Sequence, residues 1–132
     1  MSSSGEIVLL IEKADHAITV AQKLKESGFP ADAASKTYYA MFYAAQALLK
    51  SENIDVVKHS AVESAIGYYF VKTGKLSAQF HKILIAARKI REIADYDIQE
   101  EIVEPTASLK LDEGKRFIQE IKRLLTAQID TH

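Results

Sequence analysis

The segment from Pro30 to Glu52 constrains the fold more than any other part of the chain. It contains ADAASKTYYAMFYAAQALLK, in which apolar residues lie on almost every side of a helical projection. Only Lys36 and Lys50 mark a narrow polar edge. A helix that is apolar nearly all round must be covered on all sides. The sequence therefore predicts that this helix is central in a bundle or is covered by a second subunit.

Helical periodicity and end signals place the first and third helices on either side of this segment. The first helix has Ser4 as its predicted N-cap and ends at Gly28. The third begins at Ser60, where Glu63 would complete a capping box, and ends at Gly74. The side chains predicted to face inward on the third helix are Val62, Ile66, Tyr69 and Phe70.

Two further helices complete the predicted fold. The fourth is capped by Ser77 and reaches Asp97, and the fifth runs from Thr106 or Ser108 to Gln128. Only two prolines and five glycines interrupt the chain. We therefore expect an all-α fold, an up-and-down helical bundle of about five helices with four long and one shorter, as a single domain over residues 1–132.

The composition excludes several classes of function. With no cysteine there is no disulfide, thiol nucleophile or cysteine metal site, and a net charge of −1 leaves no general attraction for nucleic acid. No glycine-rich phosphate loop or paired ExxH motif is present, so we expect no cofactor and no metal. Without a signal peptide or a long apolar run, the protein is expected to be soluble and cytoplasmic, with no membrane partner.

The fourth helix carries a charge where helical packing should not allow one. Arg91 projects between Leu84 and Ala87, inside the apolar arc of FHKILIAARKIREIADYD, and Asp95 lies at the edge of that arc with Tyr96 beside it. An unpaired buried charge costs several kcal/mol. The group is therefore either a structural Arg91–Asp95 pair or a polar site at a seam of the bundle. The residues predicted to lie on the opposite, solvated side are His81, Lys82, Arg88, Lys89 and Glu92.

Other polar residues are candidates for the same site. Tyr39 and Gln46 lie on one stripe of the second helix, and each either satisfies a buried partner or faces the cleft that contains Arg91. His59 precedes the third helix. It shows no metal-ligand spacing with the other three histidines, which are His16, His81 and His132.

Three stretches of the chain, taken in order, resemble the HEPN superfamily, specifically its small stand-alone prokaryotic members. They are SKTYYAMFYAAQALLK, KHSAVESAIGYYFVKTGKL and KIREIADYD, and the resemblance covers roughly residues 6–126. It implies a helical bundle that commonly forms a homodimer, with the polar motif near the dimer cleft. Many members resemble toxins of toxin–antitoxin modules that act beside a minimal nucleotidyltransferase. Active members are metal-independent RNA endonucleases.

This sequence differs from the nuclease members at one position. Those members have an Arg followed four to six residues later by a His, whereas Arg91 begins the motif R-x-x-A-D-Y and no His follows before His132. For cleavage, Arg91 would stabilise the phosphorane, and Asp95 or Tyr96 would replace the His unless His59 or His81 approaches from elsewhere.

Three interpretations of the function follow. The first is a module that binds a nucleotide, RNA or a protein partner through Arg91. The second is a metal-independent endoribonuclease, and the third is a structural bundle in which the Arg91–Asp95 pair only sets helix register. All three include a homodimer that covers part of the second helix, and an Arg91 that is buried or lines a cleft.

Overall fold

The computed structural model describes residues 2–97 and 100–130, so His132 lies outside the described residues. The helices are α1 (Ser2–Glu26), α2 (Pro30–Ser51), α3 (His59–Ile66), α4 (Ala78–Tyr96) and α5 (Glu104–Asp130), and α3 continues as a π-helical turn (Gly67–Val71). Among these described residues none forms a strand. The predicted all-α bundle of about five helices is confirmed.

Helix α2 is the centre of the bundle. It packs against α1, α5, α4 and α3, and its large side chains Tyr38, Met41, Leu48 and Leu49 are at most 1% exposed. Of the two predicted ways to cover α2, the monomer supplies the first, because its own helices bury the apolar surface. The homodimer stays a prediction, but the burial of α2 no longer requires it.

The contact between α2 and α5 is close because α5 presents a glycine to α2. A Cβ built on Gly114 would lie 2.6 Å from the Thr37 Cγ2 atom, which is shorter than side-chain carbons tolerate. Thr37 itself is fully buried and its hydroxyl donates to the carbonyl oxygen of Ala33 at 2.8 Å. The α2 backbone therefore provides the hydrogen-bond partner of this buried hydroxyl, and the interface between α2 and α5 stays apolar.

The start of α3 differs from the prediction. The N-cap residue is Lys58, no side chain caps the helix, and Ser60 lies inside it. Glu63 makes no capping box because its carboxylate pairs with Arg88 of α4. A tertiary ion pair has displaced the local hydrogen bond that the sequence pattern favoured.

The end of α3 also departs from the expected periodicity. Val62, Ile66 and Phe70 are buried as predicted, but Tyr69 is 44% exposed. The π-helical turn has more residues per turn than an α-helix, so Tyr69 falls further round, on the solvent side. Gly67 allows a close helix contact, since a Cβ there would lie 3.0 Å from the ring of His81.

Helix ends were otherwise predicted within a few residues. Helix α1 begins at Ser2, so Ser4 lies in its first turn and not at its N-cap. Helix α5 begins at Glu104, earlier than Thr106 or Ser108, because Pro105 is tolerated in a first turn, where its missing N–H has no intrahelical role. Ser77 caps α4, accepting from the backbone N–H of Gln79 at 3.3 Å. In the described part of the chain no helix has the length and apolarity to cross a membrane.

Candidate functional site

Arg91 is buried by aromatic rings. Its residue is 8% exposed, as predicted for a position inside the apolar arc of α4. The guanidinium carbon lies 5.5 Å from the ring centroid of Tyr38, 5.7 Å from that of Tyr39 and 5.8 Å from that of Tyr96. Ring faces attract a cation, and weakly hydrated Arg suits such a site. Three tyrosines therefore stabilise a charge that the apolar core alone would exclude.

The Arg91–Asp95 ion pair is long. Nη1 of Arg91 lies 3.6 Å from Oδ2 of Asp95, and the aspartate side chain is one-third exposed. The other carboxylate oxygen of Asp95 accepts from the Ser35 hydroxyl at 3.0 Å. Nε of Arg91 is buried and has no hydrogen-bond partner among the described residues. Among the described residues, the guanidinium thus has one buried donor that no protein acceptor uses.

His59 is brought to the same tyrosines by the N-terminus of α3. Its Nδ1 lies 2.5 Å from the hydroxyl oxygen of Tyr38, and its ring packs 4.3 Å from that of Phe42. Tyr38 and Tyr39 therefore contact both His59 and Arg91. Burial, and then the positive charge of Arg91, lower the pKa of His59. We conclude that this imidazole is neutral at pH 7.

Tyr38 connects the two groups and was not singled out from the sequence. Burial, and then the charge of Glu63, raise the pKa of Tyr38 well above its ordinary value, so its phenol stays protonated. When Nδ1 of His59 carries the proton, it donates to the Tyr38 oxygen and leaves Nε2 free as a base. The sequence signal was a hydroxyl on a fully buried helix face, which needs a partner.

A second polar cluster lies beside the first, and it corrects the predicted solvated side of α4. Nε of Arg88 donates to a carboxylate oxygen of buried Glu63 at 2.5 Å, and Nη1 of Arg88 donates to Glu92 at 2.9 Å. His81 donates from Nε2 to the carbonyl oxygen of Glu63 at 2.9 Å. The prediction was wrong for Arg88 and His81, because α3 packs on that side of α4. Lys82 and Lys89 are exposed, as predicted.

Gln46 and Tyr96 occupy different surroundings. Gln46 donates weakly to the carbonyl oxygen of Val56 at 3.5 Å and lines a separate cavity of about 330 Å³ beside Leu10 and Lys50. The structure therefore does not bring Gln46 to Arg91. Tyr96 is 74% exposed and forms the outer wall of the Arg91 site. No group of three or more metal-ligating side chains occurs among the residues that are described.

Comparison with known proteins identifies the family. The sequence model described as HEPN domain matches residues 7–130. The chain belongs to the HEPN family.

Relatives of this HEPN protein include two from Methanocaldococcus jannaschii. "Putative toxin MJ0142" is 34% identical over 123 residues, which cover 93% of this chain and 84% of the relative. "Putative toxin MJ0605" is 33% identical over 120 residues, covering 91% and 89%. A UPF0332 protein of Gloeobacter violaceus is 29% identical over 111 residues, covering 83% and 88%. The similarity thus extends over most of each chain.

The lowered pKa of His59 predicts how stability of this HEPN protein depends on pH. The unfolded chain takes up the proton at about pH 6.5, while Arg91 and Arg88 oppose protonation in the fold and Glu63 and Glu92 favour it. The contribution of neutral His59 is complete above that pH and is lost as the pH falls below it. We expect the thermal midpoint to fall from pH 7 to pH 5.5.

His59→Gln isolates this effect, because every other titratable side chain is the same in the two proteins. The variant should lose less of its thermal midpoint than the wild type over the same interval, as followed by circular dichroism. Parallel curves for the two proteins would contradict the lowered pKa.

Proposed function

We propose that this HEPN protein is a toxin-like component of a two-protein module that binds a nucleotide or RNA at Arg91. The observation that carries the proposal is the guanidinium itself. It is enclosed by three tyrosine rings, its ion pair with Asp95 is 3.6 Å long, and its Nε has no partner among the described residues. A purely structural Arg would be expected to have its donors satisfied.

The chemistry of the site suits a nucleotide. Arg forms charge-assisted, often bidentate hydrogen bonds with phosphate, and exposed aromatic rings stack on bases. Tyr96 offers such a ring at the outer wall of the site. Asp95, held by Ser35 and one-third exposed, can move away from Arg91 when an anion arrives. The names of the two Methanocaldococcus relatives, as toxins, support the toxin-like role.

The proposed module has a second protein and a second copy of this chain. Family resemblance suggests a minimal nucleotidyltransferase as the protein partner, and a homodimer with the Arg91 motif near its cleft. The nucleotide at Arg91 would then be a substrate or product shared with the transferase. Co-purification of the two proteins, and sedimentation at tens of micromolar, test these two partnerships.

Calorimetric titration tests the binding function. Pure protein in chelator is titrated with AMP, with ATP and with a short single-stranded RNA, and at least one of them should bind with saturation. A matched control is Arg116→Met, which removes an exposed arginine from α5 and should leave the affinity within about twofold. If all three ligands fail to bind a folded wild-type protein, the proposal is wrong.

A second candidate function, metal-independent RNA cleavage, is favoured by the position of His59. The family pattern supplies its His from the helix of the Arg, whereas here α3 supplies a neutral His against the same tyrosines. Nε2 of His59 would take the proton of a ribose 2′-hydroxyl, whose oxygen attacks phosphorus. The bond from phosphorus to the 5′-oxygen breaks, and that oxygen takes a proton from the Tyr96 phenol.

In this reaction Arg91 would stabilise the charge of the pentacovalent phosphorus. The products are a 2′,3′-cyclic phosphate and a 5′-hydroxyl end. Incubation of RNA with the protein in chelator separates the two candidates. Cleavage that His59→Gln slows at least 100-fold supports catalysis, whereas binding without cleavage supports the first candidate alone.

A further inference from the structure

One segment of this chain contains basic residues and no acidic ones. Residues 64–91 contain six Lys or Arg and no Asp or Glu. The other 104 residues carry eleven Lys or Arg against 18 Asp or Glu, a net charge of −7. The segment comprises the end of α3, the π-helical turn and α4 as far as Arg91. Three of the six cations pair with acids outside the segment, Lys75 with Glu52, Arg88 with Glu63 and Arg91 with Asp95. Lys72, Lys82 and Lys89 are exposed and have no ion pair among the described residues, so they remain available to a polyanion.

Two adjacent tyrosines are exposed within this segment. Tyr68 is 60% exposed and Tyr69 is 44% exposed, on the π-helical turn. Their ring centroids lie 4.9 Å apart, edge to face. The ammonium of Lys72 lies 5.1 Å from the centroid of Tyr68. Phe70, the next residue of the turn, is buried and packs in the hydrophobic core.

This tyrosine pair is on the same helix pair as the Arg91 site. Helices α3 and α4 run antiparallel, because Gly67 meets His81 and Glu63 meets Arg88. About one helical turn beyond Glu63 and Arg88 lie His59 on α3 and Arg91 on α4. From His59 to Tyr68 is nine residues, roughly 13 Å at a helical rise. Exposed Lys82 and Lys89 lie two turns apart on α4, between the two ends.

We infer that Tyr68 and Tyr69 form a base-stacking platform for single-stranded nucleic acid, continuous with the Arg91 site. This inference rests on the proposed function. It narrows the proposed ligand from a nucleotide or RNA to a single strand of several nucleotides. Proteins that bind single strands combine a basic track for the backbone with aromatic rings on which bases stack. The platform supplies the rings, and Lys72, Lys82 and Lys89 supply the track.

The charge around Tyr68 and Tyr69 favours nucleic acid over a second copy of this chain as the ligand of the platform. A symmetric dimer formed through this face would bring Lys72, Lys82 and Lys89 of both copies together, and these like charges would repel. A phosphate backbone is attracted by the same charges and releases counterions on binding. The platform is therefore assigned to nucleic acid, and self-association is an outcome that the test must detect.

The test compares a mononucleotide with single strands of about eight nucleotides, as RNA and as DNA, by calorimetry and fluorescence anisotropy. The double variant Tyr68→Ala/Tyr69→Ala should bind the eight-nucleotide strand at least tenfold more weakly and AMP unchanged. Tyr68→Phe/Tyr69→Phe keeps both rings and should restore the affinity. Phe29→Ala is the matched control, because Phe29 is an exposed aromatic residue outside the acid-free segment.

Two results would overturn the inference. One is an unchanged affinity for both strands in a folded Tyr68→Ala/Tyr69→Ala protein, and the other is a change of sedimentation without a change in nucleic-acid binding. Failure of the proposed function looks different: folded Arg91→Met binds the strand as tightly as the wild type, while binding still depends on Tyr68 and Tyr69. Equal affinity for RNA and DNA would mean that the protein recognises the bases and phosphates. A preference for RNA would mean that it also contacts the 2′-hydroxyl.

Discussion

Replacing Arg91 by methionine should weaken nucleotide or RNA binding about 10- to 100-fold, because hydrogen bonds to charged groups are worth about 1.5–3 kcal/mol. The same variant should lose unfolding free energy on the order of 1–2 kcal/mol. Asp95 is one-third exposed and keeps its hydrogen bond from Ser35, so it is not left as a fully buried, unpaired charge. Calorimetric titration and thermal melts of the same preparation measure the two quantities.

Two further variants separate a ligand site from a structural pair. Arg91→Lys keeps the charge but not the planar fork, so its affinity should lie between those of wild type and Arg91→Met. Asp95→Asn removes the carboxylate that competes with the ligand. It should tighten anion binding by up to about fivefold, since a long ion pair with a partly exposed carboxylate is worth no more than about 1 kcal/mol. Unchanged affinity in folded Arg91→Met would leave only the structural interpretation of the pair.

Replacing Arg88 by methionine should cost about 3 kcal/mol of unfolding free energy, because it leaves the Glu63 carboxylate buried without its ion-pair partner. The side chain of Glu63 is 10% exposed and that of Arg88 is 25% exposed. Urea unfolding followed by circular dichroism measures the loss. Glu63→Gln added to Arg88→Met should recover much of it, since neither charge remains.

A surface ion pair of this chain provides the matched control. Arg123 and Glu120 are bonded at 2.6 Å, comparable with Arg88 and Glu63, but the arginine side chain is 63% exposed. Arg123→Met should therefore cost much less unfolding free energy than Arg88→Met. Equal losses for Arg88→Met and Arg123→Met would mean that burial does not set the strength of the Glu63 pair.

Recruitment of His59 changes how the R-x-x-A-D-Y motif is interpreted. By sequence, the absence of a His after Arg91 argued against cleavage. In the fold, α3 brings a neutral His to the tyrosines that also contact Arg91. Incubation of RNA with the protein in chelator decides whether His59 serves binding alone or also proton transfer. If His59 transfers a proton, RNA is cleaved and His59→Gln slows the cleavage. If it serves binding alone, RNA binds without being cleaved.

The amino-acid sequence alone determined the helices and the burial of Arg91. Periodicity is a local property, repeated every three or four residues, so the central character of α2 and the apolar arc around Arg91 could be predicted before any contact was known. The same holds for the Ser77 cap, which depends on atoms two residues apart.

Only the tertiary structure decided which polar groups meet. Tyr38 and His59 are 21 residues apart, Glu63 and Arg88 are 25 apart, and Ser35 and Asp95 are 60 apart. Nothing in a helical pattern specifies where the short α3 packs on α4, and that position partly buries Arg88 and His81. The π-helical turn likewise moved Tyr69 to the surface, because its hydrogen bonding departs from the period on which the prediction depended.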